Sequence, residues 1–140
     1  MSTVDALQAA LAGEHACVYG YGLVGAHAGA RDESAARVAY ESHRTRRDLL
    51  EAQIRARSAE PVAALPAYAV PFAVTDATTA GRLAGMLEER LAPLYADLVG
   101  VATNPVLREI AVRALVEATV RSAGWIGRTT ALPGLGRVPD

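Results

Sequence analysis

The segment "AEPVAALPAYAVPFAVT", residues 59–75, lies near the middle of the chain and constrains the fold more than any other stretch. Its prolines at 61, 66 and 71 each remove a backbone donor and clash with the preceding turn, so no continuous helix passes through it. After Glu60 it carries no charge, so it should lie against the protein and not extend into water. A rigid, apolar, non-helical connection of this kind divides the chain into two halves and fixes how they can be joined.

Each half reads as two helices. In the first, residues from about Thr3 to Ala28 form one helix, with Thr3 as its cap, Asp5 at the positive end of the dipole and Gly29 as a C-terminal cap. A second runs from about Glu33 to Arg57 after a cap at Asp32. Its pairs Arg44–Asp48, Arg47–Glu51 and Glu51–Arg55 are spaced i, i+4. In the second half, Thr75 or Asp76 caps a helix ending near Gly100, interrupted by Pro93. Asn104-Pro105 then supplies a cap and a first-turn proline for a fourth helix, which ends near Gly124 or Gly127. Within each half the joint is short, and short joints make antiparallel neighbours. Residues 61 to 74, extended at ~3.1 Å per residue, reach roughly 43 Å. A helix of about 25 residues is about 37 Å long at 1.5 Å per residue. The connection therefore spans a whole bundle. The expectation is an all-α, ferritin-like four-helix bundle with a long crossover between helices 2 and 3. It occupies residues 1–128, with a tail over 129–140 in which Leu132 and Leu135 can tuck back.

Composition agrees with a helical core and excludes several functions. Half of the 140 residues are hydrophobic, but Phe and Trp occur once each, so Ala, Leu and Val must fill the interior. Ala and Leu are among the strongest helix formers. The net charge of −1 gives no general attraction to nucleic acid or to acidic membranes. The single cysteine, Cys17, excludes an internal disulfide and fits a reducing compartment. No signal peptide is evident, and no uncharged run reaches the ~20 residues of a membrane-spanning helix. A cytoplasmic protein with no nucleic-acid or membrane partner is expected.

Gly20-Tyr21-Gly22-Leu23-Val24-Gly25 matches the G-x-G-x-x-G pattern of dinucleotide-binding folds. That pattern requires a strand before it and a second strand about 30 residues on. Here Leu7, Leu11, Glu14, Val18 and Tyr21 continue one helical stripe through it, and the second position falls on the charged, helical "RRDLLEAQIRAR". The glycines are better explained as helix packing. Gly13 and Gly20 form a flat stripe for a close neighbour. Each costs up to about 1 kcal/mol relative to Ala, so tight packing or a functional gap must compensate.

Polar residues on the apolar stripes are the informative feature. Glu14 lies on that of helix 1. His43 shares a face with Tyr40, Leu50 and Ile54, and Arg47 lies on the same face. Glu88 lines up with Leu91, Tyr95 and Leu98, and is preferred over Glu89 as the inward residue. Glu117 follows Leu107, Ile110 and Ala114. A bare buried carboxylate is costly, so partners are required. Two solutions are open. Carboxylates and imidazole suit iron, manganese or zinc. Alternatively Arg44, Arg47 or Arg121 neutralises the glutamates without metal. The run His43-Arg44-Thr45-Arg46-Arg47 reads as a salt-bridged helix face rather than a phosphate site, and Cys17 as a small core residue. His15 points away from Glu14, toward solvent or another helix, and His27 reads as a surface residue.

The stretches "LQAALAGEHACVYGYGLVGA", "YESHRTRRDLLEAQIRAR", "PAYAVPFAVTDA" and "LEERLAPLYADLV" resemble an uncharacterised bacterial ferritin-like domain family, over about residues 6 to 125. The resemblance implies the ferritin-like fold and no established activity. The wider di-iron group takes a Glu from each of two helices and Glu-x-x-His from the other two. Carried over, Glu14 and Glu88 are the lone glutamates. The two motifs become Tyr40-x-x-His43 and Glu117-x-x-Val120, so each has lost one ligand. What remains is at most a single iron or manganese ion held by Glu14, His43 and Glu117, with Glu88 or water, in a metal-binding protein or redox enzyme. Tyr40, which can instead hydrogen-bond a carboxylate, and Arg47 lie around them. The other expectation is a metal-free structural protein that self-associates, with a homodimer favoured.

Overall fold

The computed structural model describes residues 1–127, and the expected tail with Leu132 and Leu135 lies outside the described residues. The described residues form four helices: α1 (Thr3–His27), α2 (Glu33–Arg55), α3 (Ala77–Val101) and α4 (Pro105–Ile126). No strand occurs among the described residues. α1 packs on α2 and on α3, and α3 packs on α4. The pairs run antiparallel. Thr3 Oγ1 donates to the Val101 carbonyl at 3.0 Å, while Gly20 lies against Leu87. α2 and α4 are bridged by long side chains, with Arg46 reaching the Ile110 carbonyl and Arg121 reaching Ser42. The result is a four-helix bundle with one long crossover.

Local chemistry sets the helix ends. Ser2, not Thr3, caps α1. Its hydroxyl accepts from the Asp5 amide, and the Asp5 carboxylate accepts from the Ser2 amide, a closed capping box. Asp76 and Thr79 make a second capping box on α3. Asp32 occupies the cap position of α2 but makes no capping bond, and α2 stops at Arg55, two residues short of expectation. Asn104 Oδ1 accepts from the amides of Val106 and Leu107, ahead of Pro105. Such a cap contributes about 1 kcal/mol. Gly127, at φ 70°, ends α4 in the left-handed conformation that favours glycine. The expected cap at Gly29 is absent, because Ala28 ends α1 in an extended conformation. α3 continues through Pro93.

The crossover lies along α1. Gln8 donates to the Glu60 carbonyl and accepts from the Val62 amide. His15 Nε2 donates to the Val62 carbonyl at 3.0 Å, so this histidine serves the connection and is buried, contrary to the expected solvent or helix contact. Tyr68 packs against Tyr19 with ring centroids 5.5 Å apart and planes tilted by 50°, and Phe72 lies beneath the Arg82 guanidinium. These contacts carry the chain from the start of α1 to the start of α3.

The core is built from Leu7, Leu11, Leu50, Ile54, Leu83, Leu98 and Leu107 with intervening alanines. Each fully buried leucine contributes roughly 1.5–3 kcal/mol. Gly13 and Gly20 do face a close neighbour, and it is α3. A Cβ on Gly13 would stand 2.7 Å from Leu94 Cδ1, and one on Gly20 would stand 2.5 Å from Leu87 Cδ1. The dinucleotide-like glycines thus sit within one unbroken helix.

Candidate functional site

Three of the four expected inward ionisable residues meet at the centre of the bundle. Glu14 from α1, His43 from α2 and Glu88 from α3 are all buried. His43 Nδ1 donates to Glu14 Oε2 at 2.7 Å, and Nε2 donates to Glu88 Oε1 at 3.0 Å. An imidazole with a carboxylate on each nitrogen is held as imidazolium, because only that form donates from both. Burial works against its charge, but the hydrogen bonds and charges of Glu14 and Glu88 outweigh burial, and the His43 pKa rises to about 9.

Two tyrosines complete the cluster. Tyr95 donates to Glu14 Oε1, and Tyr21 donates to Glu88 Oε1 at 2.7 Å. Both are seven residues beyond a glutamate, Tyr21 after Glu14 and Tyr95 after Glu88. Seven residues are about two turns and about 10.5 Å of rise, so each Glu–Tyr pair shares one face of its helix. Since α1 and α3 run antiparallel, each tyrosine meets the other helix's glutamate. Burial and the adjacent carboxylates raise both phenol pKa values, which keeps the tyrosines as neutral donors. Trp125 of α4 donates to the Tyr21 hydroxyl at 3.1 Å, and the Tyr21 ring lies 5.1 Å from that of His43. The hydrogen-bonded chain Trp125–Tyr21–Glu88–His43–Glu14–Tyr95 therefore touches all four helices. Glu88 Oε2 is buried and has no hydrogen-bond partner.

Glu117 does not join them. Its side chain is 43% exposed and accepts from Arg46 at 2.7 Å, with Arg121 3.8 Å away. The inner stripe of α4 is Leu107, Ala111, Ala114, Ala118 and Ser122, which turns Glu117 to the flank. A void of about 10 Å³, roughly the space of one water, is lined by Glu14 and His43 together with Arg46, Glu117 and Arg121. Among the described residues Tyr40 makes no carboxylate bond. It is half-buried and carries the Arg44 guanidinium 5.7 Å from its ring centre. Arg47 pairs with its neighbour Asp48 at 2.8 Å. Arg44 pairs with Glu41 and Arg55 with Glu51, so the basic run is a salt-bridged surface. Glu89 is exposed, as expected for the neighbour of an inward Glu88. Cys17 is buried in apolar surroundings, which push its thiol pKa well up and leave it unreactive.

Sequence reasoning placed Tyr21 and Tyr95 on the correct stripes but did not pair them with the acids. The signal was present in the repeated Glu-to-Tyr interval of seven. Trp125, close to the end of α4, gave no such signal.

Among the described residues no group of three or more His, Cys, Asp and Glu side chains is disposed to hold a metal ion. His43 gives both ring N–H donors to Glu14 and Glu88, Tyr95 and Tyr21 donate to Glu14 Oε1 and Glu88 Oε1, and Arg46 draws Glu117 away. This leaves Glu88 Oε2 as the one acceptor of Glu14, His43 and Glu88 without a partner among the described residues.

The structure resembles the crystal structure of a conserved hypothetical protein, rv2844, from Mycobacterium tuberculosis. The TM-score is 0.85 and the identity 34%, over 88% of this chain and 93% of that one. No curated protein matches the chain. The sequence profile of a domain of unknown function, DUF4439, matches residues 6–137. With nearly its whole length matched, the chain belongs to the DUF4439 family.

Proposed function

We propose that this protein is a degenerate ferritin-like bundle whose former ligand positions serve as a self-paired polar core, and that it acts as a structural, self-associating protein. The observation that carries this reading is His43. Both of its ring nitrogens are committed to carboxylates, so no imidazole lone pair is left to coordinate. Tyr40 and Val120 stand where two further di-iron ligands belong. A buried charged group is tolerable when paired and hydrogen-bonded, and a network spanning four helices also holds their register.

Self-association is supported by α4. Val106, Val112, Val116 and Val120 are all exposed, and helical spacing puts them on one face. The Glu109–Arg113 ion pair sits among them. A second copy would bury that face, and a homodimer is the favoured assembly. Light scattering on the wild type and Val116→Glu tests this. A dimer that becomes a folded monomer in Val116→Glu supports the reading, and a wild-type monomer at high concentration removes it.

A second reading is favoured by one atom, the unpartnered Glu88 Oε2. A single iron or manganese ion bound there would require His43 to release at least one carboxylate. Metal analysis of protein purified without chelator separates the two readings. Stoichiometric metal that disappears in His43→Gln overturns the self-paired core. A folded wild type that takes up no iron or manganese after loading overturns the metal site.

A further inference from the structure

The glycine stripe of α1 has a second consequence. A cavity of about 190 Å³ lies between α1 and α3, beneath the crossover at residues 68–70. Its walls are apolar, with Cys17, Leu83, Met86 and Leu87 among them. Leu87, Leu91 and Leu94 lean onto Gly13 and Gly20, where a Cβ would displace them. Because these leucines settle against bare backbone, they do not fill the groove. Apolar cavities of about 150 Å³ stay dry and take up a benzene-sized guest, so this one has room for a body of about six to eight carbons.

The rim of the cavity supplies the polar end. Arg90 lines it, is exposed, and makes no hydrogen bond or ion pair among the described residues. The other arginines of the bundle that border its interior are already paired, Arg46 with Glu117 and Arg121 with Ser42. Tyr68, packed against Tyr19, lies at the opening. An apolar slot ending at an unpaired guanidinium is complementary to a short chain that carries a terminal anion.

The geometry points to a binding site for a small amphiphilic carboxylate, its hydrocarbon end between α1 and α3 and its carboxylate at Arg90. The site is distinct from the Glu14–His43–Glu88 cluster and does not depend on whether that cluster binds metal.

Octanoate is a direct probe, with octan-1-ol as its uncharged counterpart. Calorimetric titration of the wild type should show saturable one-to-one octanoate binding, with amide shifts at Gly13 and Gly20. Arg90→Ala should weaken octanoate about fivefold, as for an exposed ion pair, and leave octan-1-ol unchanged. Ala16→Leu, which fills the cavity from α1, should abolish binding of both. Non-saturating octanoate binding, or amide shifts confined to other parts of the wild type, would overturn the proposal even if Ala16→Leu failed to fold. A folded Ala16→Leu that binds like the wild type would overturn it too. An unchanged octanoate affinity in Arg90→Ala would overturn the carboxylate end.

Discussion

Glu88 of α3 and Glu117 of α4 are the same side chain on neighbouring helices, one fully buried and the other 43% exposed. Glu88 accepts from an imidazole and a phenol, both buried with it. Glu117 accepts from Arg46, whose long stem lets its charge sit between α2 and α4 near water. A guanidinium with five donors is hard to satisfy at the bundle centre, whereas one imidazolium between two carboxylates uses every donor it has. Burial therefore selects the partner. At the centre of the bundle the charges are fully buried, and at the α2/α4 edge the ion pair is equally short but partly exposed. The two regions should answer very differently to substitution.

The largest effect is expected at the centre. His43→Ala leaves Glu14 and Glu88 facing each other across a vacated space with no cation between them. Removing one member of a buried ion pair costs about 3–5 kcal/mol. Urea unfolding at neutral pH should show this as a large drop in midpoint. A loss comparable to that of a surface substitution would mean that the centre is as solvated as the edge.

The pH dependence sharpens the contrast. The folded His43 pKa, about 9, stands above the 6.5 of an unfolded histidine. The folded state then keeps a proton that the unfolded state has lost. Its stabilisation is fully present below pH 6.5 and is lost as pH rises to about 9. Such a shift corresponds to roughly 3 kcal/mol. Tyr21 and Tyr95 also have raised pKa values, but their contribution declines only above the unfolded tyrosine value of 10. Unfolding free energies between pH 6 and 9 should therefore fall in the wild type and stay nearly level in His43→Gln. An equal slope in both would assign the effect elsewhere.

Much of the centre was legible in the sequence, and the edge was not. Glu14, His43 and Glu88 interrupt stripes whose other members, Arg47 apart, are apolar, so their inward direction follows from helical period. The crossover follows from three prolines, whose effect is local. In α4 the logic inverts. Its inner stripe is mostly alanine, while four valines face outward. The expected stripe of Leu107, Ile110, Ala114 and Glu117 shares Leu107 and Ala114 with the inner one but is rotated partly off it, so Glu117 falls on the seam by helical period when it lies beside it. The Tyr21–Glu88 and Tyr95–Glu14 bonds depend on the register of α1 against α3. Register is a tertiary property fixed partly by how Gly13 and Gly20 seat the α3 leucines.

An intermediate effect is expected from Tyr95→Phe. The ring and its packing remain, but Glu14 Oε1 loses its donor in a site with little water to replace it. Leaving such a group unsatisfied costs about 1–3 kcal/mol. The companion Tyr21→Phe also strands the indole N–H of Trp125, so it should cost at least as much. Chemical unfolding of the two variants measures this. A neutral Tyr95→Phe would mean that solvent reaches Glu14, and would move the centre toward the edge in character.

The smallest effect is expected at Glu117. Glu117→Gln keeps the shape and one acceptor for Arg46 while removing the charge. Arg46 retains the Ile110 carbonyl as a partner, and both groups remain within reach of water. With its carboxylate 43% exposed, the pair should lie nearer the about 0–1 kcal/mol of surface pairs than the cost of a buried one, and fall as salt rises. The expected outcome is a small loss at low ionic strength that shrinks in high salt, whereas the His43→Ala loss persists, because buried charges are screened far less. A Glu117→Gln loss as large and as salt-independent as that of His43→Ala would show that the flank and the centre form one network, with Arg46 as an interior cation and the division between the two regions lost.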